Sequence, residues 1–400
     1  MKVCDNEFWT WIDTHLDDDP IKLRLKFRGS DDASVFDAAI RQIECRKKFG
    51  KKLSETLTAA PRFFFPDKLS GEQSTSDLLA SYHAELVIPG EPLIDLTSGL
   101  GIDVFHCAGV SGETVAIERN NELAQALRYN ASELNCSHVS VICDDCRTIV
   151  AKAGKSYPTA FIDPARRSSD GGRVFSLTDC EPDVVEMLPA LQKICRRLVV
   201  KMSPMLDIYH TVDILGGCSR IISLGNTTEC KELIAVKDFE SDSDETIIEG
   251  TTLKPDRRIE FKYTQSEEES APVPCYSLPR IGDYFYEPYP AVMKLGANKL
   301  LAARFNLHAF HPNCRLYHSS RLTDNFPGDV FRIDAVLDFS SKILKRFKRD
   351  YPQINVGARN FGMTAEDLRK KLGVKDGGSR RLMGVTDINN QRIMIVLSPL

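Results

Sequence analysis

The sequence has no long hydrophobic run. Nothing in it approaches the roughly 20 consecutive apolar residues that cross a bilayer, and its start, "MKVCDNEFWTWIDTHLDDDP", has no apolar stretch long enough for a secretory leader. A cytoplasmic protein without a membrane partner is the expectation. No internal repeat of roughly 20 to 50 residues is present either. Charge of one sign is not in excess: 52 Lys and Arg face 56 Asp and Glu, a net charge of −4, so composition alone selects no nucleic-acid partner. Metal signatures are also missing. The eight His residues show no HExxH spacing, and "CDDC" (Cys143 to Cys146) is a single C-x₂-C without a second pair, whereas a structural zinc takes four ligands. His311 and His318 near Cys314 read as surface or core residues, and no metal is expected. The twelve cysteines are scattered, as suits free thiols in a reducing compartment.

What is present is a globular chain of 400 residues, 42% hydrophobic and 27% charged, long enough for about two to four domains. Residues 1–85 read as helices. "NEFWTWIDTHL" and "ASVFDAAIRQIECRKKFG" repeat apolar residues at helical spacing, the second after an Asp31-Asp32 cap and ending near Gly50. "PRFFFPDKLSGEQSTS" reads as a loop, after which "SDLLASYHAEL" resumes a helix.

From residue 90 short apolar runs alternate with helical stretches. Strands are predicted near 92–97, 113–118, 139–144, 158–163, 197–203, 219–225 and 231–238. The first five are separated by candidate helices, which implies parallel strands with right-handed crossovers. The last two are joined by "GNTTEC", too short for a crossover helix, so they should pair antiparallel. The expected fold class is α/β: a seven-stranded Rossmann-like sheet, with an N-terminal helical region and small C-terminal α+β domains. The expected division is 1–85, 86–270, 271–325 and 326–400. "FESDSDETIIEG" and "TQSEEESAPVP" are linker candidates around a possible hairpin at 246–264. The end reads as βαβαββ, with strands at 330–336, 353–359, 380–387 and 391–398 and helices at 339–349 and 364–372. From Phe326 to Leu400 there are 14 Lys and Arg against 8 Asp and Glu, so 14 − 8 gives +6 there and −4 − 6 gives −10 elsewhere. One end of the molecule is basic.

The stretch "LIDLTSGLGIDVF", residues 93–105, is a strand running into a glycine loop. A dinucleotide fingerprint would need G-x-G-x-x-G, with backbone amides approaching a pyrophosphate. Here Gly99 and Gly101 lack the third glycine, and Asp95 and Asp103 put carboxylates where a pyrophosphate would be repelled. S-adenosylmethionine has no phosphate and carries an ammonium and a sulfonium, which an acidic loop attracts. Glu118 ends the second strand in "VAIER", where an acid can accept ribose hydroxyls. Asp144 or Asp145 ends the third strand in "VSVICDDCR", where a side chain can accept an adenine amino group. Asp163-Pro164 ends the fourth in "AFIDPARR", beside the crevice where open α/β sheets bind ligands.

Residues 90–240 thereby resemble a class I S-adenosylmethionine-dependent methyltransferase, with Asp95, Gly99 and Gly101 as first motif, Glu118 as second, Asp145 as third and Asp163-Pro164 as fourth. The resemblance implies cofactor contacts at those positions, with Thr97, Asp103, Arg119 and Asp144 beside them, and a catalytic role for Asp163 and Pro164. A narrower similarity spans nearly the whole chain. "EQSTSDLLASYHAEL", "IDPARR", "VVKMSPMLD", "YEPYPAVMKLGANKL" and "ARNFGMTAEDLRKKLGVKDGG" resemble a bacterial group of methyltransferases with a ferredoxin-like insert and a C-terminal THUMP-like domain. THUMP domains resemble RNA-binding modules of RNA-modifying enzymes, so the resemblance implies an RNA acceptor, an rRNA or tRNA base. The +6 balance agrees with phosphate contacts, although a solvated helix face such as "SKILKRFKRD" explains it equally.

Methyl transfer from a sulfonium needs little beyond in-line positioning. Enzymes that methylate exocyclic base amines often carry an Asp/Asn-Pro-Pro-aromatic loop; here Ala165 replaces the second proline and Arg166 the aromatic residue. Arg166, Arg167 and Arg173 lie in a Ser/Gly-rich loop where they can grip a phosphate, stack on a base, or pair with Asp170 and Asp179. No Cys adjoins Asp163-Pro164, and Cys180 has no motif around it, which argues against a cysteine nucleophile. "GEQSTSD", residues 71–77, can be a lid over the donor or a helix cap through Ser74 or Ser76. Lys201 in "VVKMSP" ends the fifth strand, either facing the crevice as a substrate-binding residue or as a solvated tip. Three functions are compatible with these features: an RNA methyltransferase, a methyltransferase of a protein or small molecule, and an RNA-binding protein with weak or no transfer activity. The oligomeric state is not legible in the sequence.

Overall fold

The computed structural model describes residues 1–152, 154–166, 176–240 and 245–400. By internal contacts it divides into two compact units. One holds Met1–Ser219 and Ile234–Asp244; the other holds Arg220–Leu233 and Glu245–Leu400.

In the first unit the N-terminal region is helical as expected, with helices at Asn6–Thr14, Ala33–Phe49 and Asp77–Ala84. Asp5 caps the first by accepting the Phe8 amide at 2.7 Å. Asp32 stands at the cap position of the second but makes no side-chain cap bond. Three further short helices are present that periodicity did not indicate, one of them Ser54–Ala59. Pro20–Phe27 begins with Asp19 as cap and proline at its first position, and Lys68–Gln73 lies inside the stretch read as loop. That stretch is not a surface loop, since Phe63 and Phe65 are fully buried. Two buried amides make this possible by standing in for strand neighbours. Gln42 accepts the Phe65 amide and donates to its carbonyl (2.9 and 2.8 Å), and Asn130 does the same for Phe64 (2.7 and 3.0 Å). Phe49, Phe63 and Phe65 form one core with Leu100, Ile102, Phe105 and Leu127. The N-terminal helices are thus fastened to the glycine loop and the helix that follows it.

The strands of the main sheet are β1 (Leu93–Asp95), β2 (Thr114–Ile117), β3 (Val139–Ile142), β4 (Tyr157–Ile162), β5 (Cys195–Met202), β6 (Arg220–Gly225), β7 (Cys230–Asp238), β8 (Ile247–Leu253) and β9 (Arg258–Thr264). Their order is β9-β8-β6-β7-β5-β4-β1-β2-β3. β1 pairs parallel with β2 and β4, β2 with β3, and β4 with β5. Between β6 and β7, the Asn226 amide donates to the Glu229 carbonyl at 3.0 Å and closes a tight turn. The expectation of seven strands is corrected to nine. β8 pairs parallel with β6 and antiparallel with β9, so the hairpin read among linkers belongs to the sheet. Glu249 and Gly250 disguised it, yet six of the seven β8 residues are buried. The fully buried Glu249 carboxylate is matched by Arg220 at 2.8 Å, Lys262 at 3.3 Å and the Thr251 hydroxyl at 2.7 Å.

In the second unit the strands β10 (Tyr284–Pro288), β11 (His308–His311), β12 (Cys314–Ser319), β13 (Gly328–Asp338), β14 (Asn355–Arg359), β15 (Arg381–Thr386) and β16 (Arg392–Pro399) form a sheet of order β11-β12-β10-β13-β16-β15-β14. The expected βαβαββ order of the C-terminal part is present. Its helices, Ser341–Asp350 and Ala365–Leu372, bury Phe347, Leu368 and Leu372 against Leu382, Met394 and Val396. Among the described residues no helix is long and apolar enough to cross a membrane, and all twelve cysteines are free thiols.

Candidate methyl-donor site

The site is built on the carboxyl ends of the parallel strands of the first unit. Asp95 is the last residue of β1, Glu118 follows β2, and Asp163 follows β4. Asp144 and Asp145 do not end the third strand. β3 stops at Ile142, so both lie in the turn before the helix Cys146–Lys152.

The loop after β1 turns on two glycines in the left-handed region, Gly99 (φ 53°) and Gly101 (φ 92°). Gly101 has a second reason to be glycine. A Cβ there would meet Leu127 Cδ1 at 2.2 Å and Phe105 Cε2 at 2.8 Å. Glu118 braces this loop, accepting the Gly99 amide on Oε2 at 2.9 Å and the Asn120 amide on Oε1 at 2.7 Å. Thr97 ties the loop to β4, because its hydroxyl oxygen accepts the Asp163 amide at 2.7 Å.

Asp95 is buried, and Thr97 N–H donates to its Oδ1 at 2.9 Å. Burial, joined by the charges of Asp103 and Asp163, pushes its pKa up to about 8. Asp103 is the opposite case. Burial raises its pKa too, but Lys201 and His83 outweigh that and hold the carboxyl well below the usual range. The His83 Nδ1 lies 2.7 Å from Asp103 Oδ1, and the Thr75 hydroxyl donates to Oδ2 at 2.5 Å. Lys201 Nζ sits 3.5 Å from the same Oδ2, 2.8 Å from Thr75 Oγ1 and 2.7 Å from Asp163 Oδ2. The side chain of Lys201 is 12% exposed and that of Asp163 39%, so Lys201 is not a solvated tip.

Sequence reasoning missed Thr75 and His83 as members of this cluster. The stretch 71–77 reads equally as lid or cap, and it contributes to both settings. Ser76 caps the helix Asp77–Ala84 by accepting the Leu79 amide at 3.4 Å, while the neighbouring Thr75 reaches Asp103 and Lys201.

The predicted residues outside the cluster form a second group. Arg119 Nη1 lies 2.9 Å from Glu181 Oε1, and Arg147 Nη2 is 3.7 Å from the same oxygen. Asp145 accepts from the Arg147 amide at 2.8 Å and from its guanidinium at 2.5 Å, which holds the Asp145 carboxyl at a pKa of about 2. Asp144 is exposed and accepts the Asp145 amide at 2.7 Å. After Pro164, the backbone of Ala165–Arg166 pairs antiparallel with Cys180–Glu181. Arg167, Asp170 and Arg173 lie outside the described residues. Asp179 accepts the Ser176 amide at 3.1 Å. Among the described residues no group of three His, Cys, Asp or Glu is placed to hold a metal.

Residues 284–327 match a ferredoxin-like domain family, and residues 328–399 match a THUMP domain-like family. The chain superposes on a candidate methyltransferase from Porphyromonas gingivalis W83 with a TM-score of 0.89, 29% identity, and coverage of 98% of this chain and 97% of that one. A candidate methyltransferase from Streptococcus mutans in complex with SAH matches 40% of this chain and 96% of its own at 12% identity and a TM-score of 0.31. An rRNA methylase from Streptococcus thermophilus matches 40% of this chain and 94% of its own at 14% identity and a TM-score of 0.30. No curated protein matches the chain. The chain thus carries a ferredoxin-like domain followed by a THUMP domain-like one, and over nearly its whole length it is similar to a candidate methyltransferase.

Proposed function

We propose that the protein is an S-adenosylmethionine-dependent methyltransferase of the cytoplasm whose acceptor is a base in RNA. One observation carries the donor assignment. Three carboxyl groups, Asp95, Asp103 and Asp163, converge on a two-glycine loop whose neighbouring strand supplies Glu118. Asp103 and Asp163, offset only in part by Lys201, repel a phosphate and attract a cation. A cation also favours release of the proton that Asp95 holds below its pKa of about 8. The residues fit the donor. Gly99 and Gly101 give its chain a close approach to backbone, Glu118 has the acceptor oxygens a ribose needs, and Asp144 or Asp145 would take the adenine amine. When bound, the donor supplies an electrophilic methyl group on a sulfonium.

The protein's own part is positioning. Thr97 fixes the Asp163 backbone, and with it the Asp163-Pro164 turn, against the donor loop. Asp163, the most open of the three acids, is proposed to turn one carboxylate oxygen to the acceptor and the other, now on Lys201, to the donor. Arg166, Arg167 and Arg173 are proposed to hold RNA beside it.

The RNA assignment draws on the THUMP domain-like match and on charge. The helix Ser341–Asp350 exposes Lys342, Lys345, Arg346, Lys348 and Arg349, a cationic surface suited to phosphates. We further propose the working division 1–85, 86–270, 271–325 and 326–400, with RNA bound through the basic last part. Titration calorimetry with S-adenosylmethionine tests the donor reading. The wild type should bind, and Asp95→Ala should lose binding; unchanged affinity in that variant would refute the loop assignment.

A further inference from the structure

We propose that Lys201 and Thr75 form the clamp for the donor's amino-acid carboxylate, a specificity element supplied jointly by the fifth strand and the N-terminal helical region. This rests on the crevice being the donor site. The amino-acid end of S-adenosylmethionine carries an ammonium and a carboxylate on one carbon. A complementary pocket must therefore present a cation and an anion side by side. The acids of the glycine loop answer only the ammonium and the sulfonium, and left alone they would repel the carboxylate.

Lys201 supplies the missing charge in the right place. Its Nζ is 2.7 Å from Asp163 Oδ2 and 3.5 Å from Asp103 Oδ2, so positive and negative groups alternate within one hydrogen-bond length. Thr75 completes the arrangement. Its hydroxyl proton goes to Asp103 at 2.5 Å, and its oxygen lies 2.8 Å from Lys201 Nζ. That geometry aims the ammonium of Lys201 between the loop residue Asp103 and the crevice residue Asp163. Burial separates this role from that of an acceptor-binding lysine. With its side chain 12% exposed and Thr75 6% exposed, Lys201 is deeper than the 39% exposed Asp163. An amino-acid tail reaches such a position more readily than a nucleotide of an RNA chain.

On binding, the carboxylate takes the place of the Asp163 side chain on Lys201, and the donor's ammonium takes the place of Lys201 on Asp163. Each charge keeps a partner, so the exchange leaves no buried ion uncompensated.

The test compares S-adenosylmethionine with decarboxylated S-adenosylmethionine, which has the same sulfonium, ammonium and nucleoside but no carboxylate. Affinities for both are measured by titration calorimetry on the full chain, for the wild type, Lys201→Met, Lys201→Arg and Thr75→Val. The wild type should bind the carboxylated donor at least tenfold tighter. Lys201→Met should lose that preference by weakening the carboxylated donor tenfold or more, with the decarboxylated one unchanged or tighter. Lys201→Arg should retain part of the preference. Thr75→Val keeps both charges and serves if Lys201→Met fails to fold; it should weaken only the carboxylated donor, by two- to fivefold. Equal wild-type affinity for the two donors would overturn the clamp while leaving the donor site standing, as would variants that weaken both donors alike. A wild type that binds neither compound would overturn the donor reading and the clamp with it.

Discussion

The Asp163 amide donates to the Thr97 hydroxyl oxygen at 2.7 Å, which ties the turn after β1 to the end of β4. A valine at position 97 has nearly the same shape but cannot accept. Thr97→Val should cost about 1 kcal/mol in urea denaturation, the usual worth of one such bond. Methyl transfer should fall more than donor affinity does if, as proposed, the bond positions the acceptor side of the site. Thr97→Ser should restore both, and a serine variant as impaired as the valine would refute this role.

Glu118 has both carboxylate oxygens engaged by backbone amides, those of Gly99 and Asn120. Removing the carboxylate leaves two amides without their acceptor at the edge of the donor loop. Glu118→Ala should destabilise the fold by about 1–3 kcal/mol and weaken S-adenosylmethionine at least tenfold. Calorimetric titration and urea melts read the two effects separately. Full donor affinity in this variant would mean that the loop holds its shape unaided.

Gly101 combines φ of 92° with a wall 2.2 Å from where a Cβ would stand. Gly101→Ala should lose about 2 kcal/mol or more from strain and overpacking together. Adding Leu127→Ala removes the nearer contact but leaves Phe105 Cε2 at 2.8 Å and the strained backbone, so the double variant should recover donor affinity only in part.

The carboxyl of Asp95 sets a pH dependence with a definite sign. Its pKa is about 8 in the folded protein against roughly 3.9 in an unfolded chain. Between those values the folded state holds a proton that the unfolded state has released. Asp95 therefore weighs least on stability below about pH 4 and progressively more as pH rises to about 8. Asp95→Asn stays neutral, so its melting temperature should rise above that of the wild type by a margin that widens from pH 5 to pH 8. Parallel curves would rule this out. A cationic donor should drive the proton off Asp95. Binding heats at pH 7 should then vary with the ionisation enthalpy of the buffer in the wild type and not in Asp95→Asn.

The position of several candidate residues was legible because they sit at fixed offsets from strand ends. Asp95, Gly99, Gly101, Glu118 and Asp163 all fall where the alternation of apolar runs and helices places them. Thr75 and His83 were not legible as partners of Asp103. They are 28 and 20 residues away from it in the chain, and the packing of the helix Asp77–Ala84 against Ile102–Ala108, with Ser81 and Asp77 each 3.2 Å from His106, brings them there. The extra strands β8 and β9 were obscured for a related reason. A glutamate mid-strand reads as exposed until its partners Arg220 and Lys262 are known. The stretch Phe63–Phe65 looked like a loop because the hydrogen bonds that satisfy the backbone of Phe64 and Phe65 come from the side chains of Asn130 and Gln42.

The exposed cations of the helix Ser341–Asp350 should govern RNA affinity through salt. Lys345→Glu combined with Arg346→Glu should weaken binding of total RNA and flatten its dependence on salt, by roughly 0.7 in logarithmic slope for each phosphate that is no longer neutralised. Donor affinity should not move. A filter-binding series from low to high salt reads both slope and affinity, and unchanged curves would place RNA elsewhere.

Methyl transfer to RNA can be read in one assay. The direct measurement is incorporation of labelled methyl from S-adenosylmethionine into total RNA from cells lacking the protein, with and without nuclease. Incorporation that nuclease abolishes, and that disappears with Asp95→Ala, is the predicted result. A wild-type protein that binds the donor yet labels no RNA, while labelling protein or a small molecule in the same extract, would contradict it.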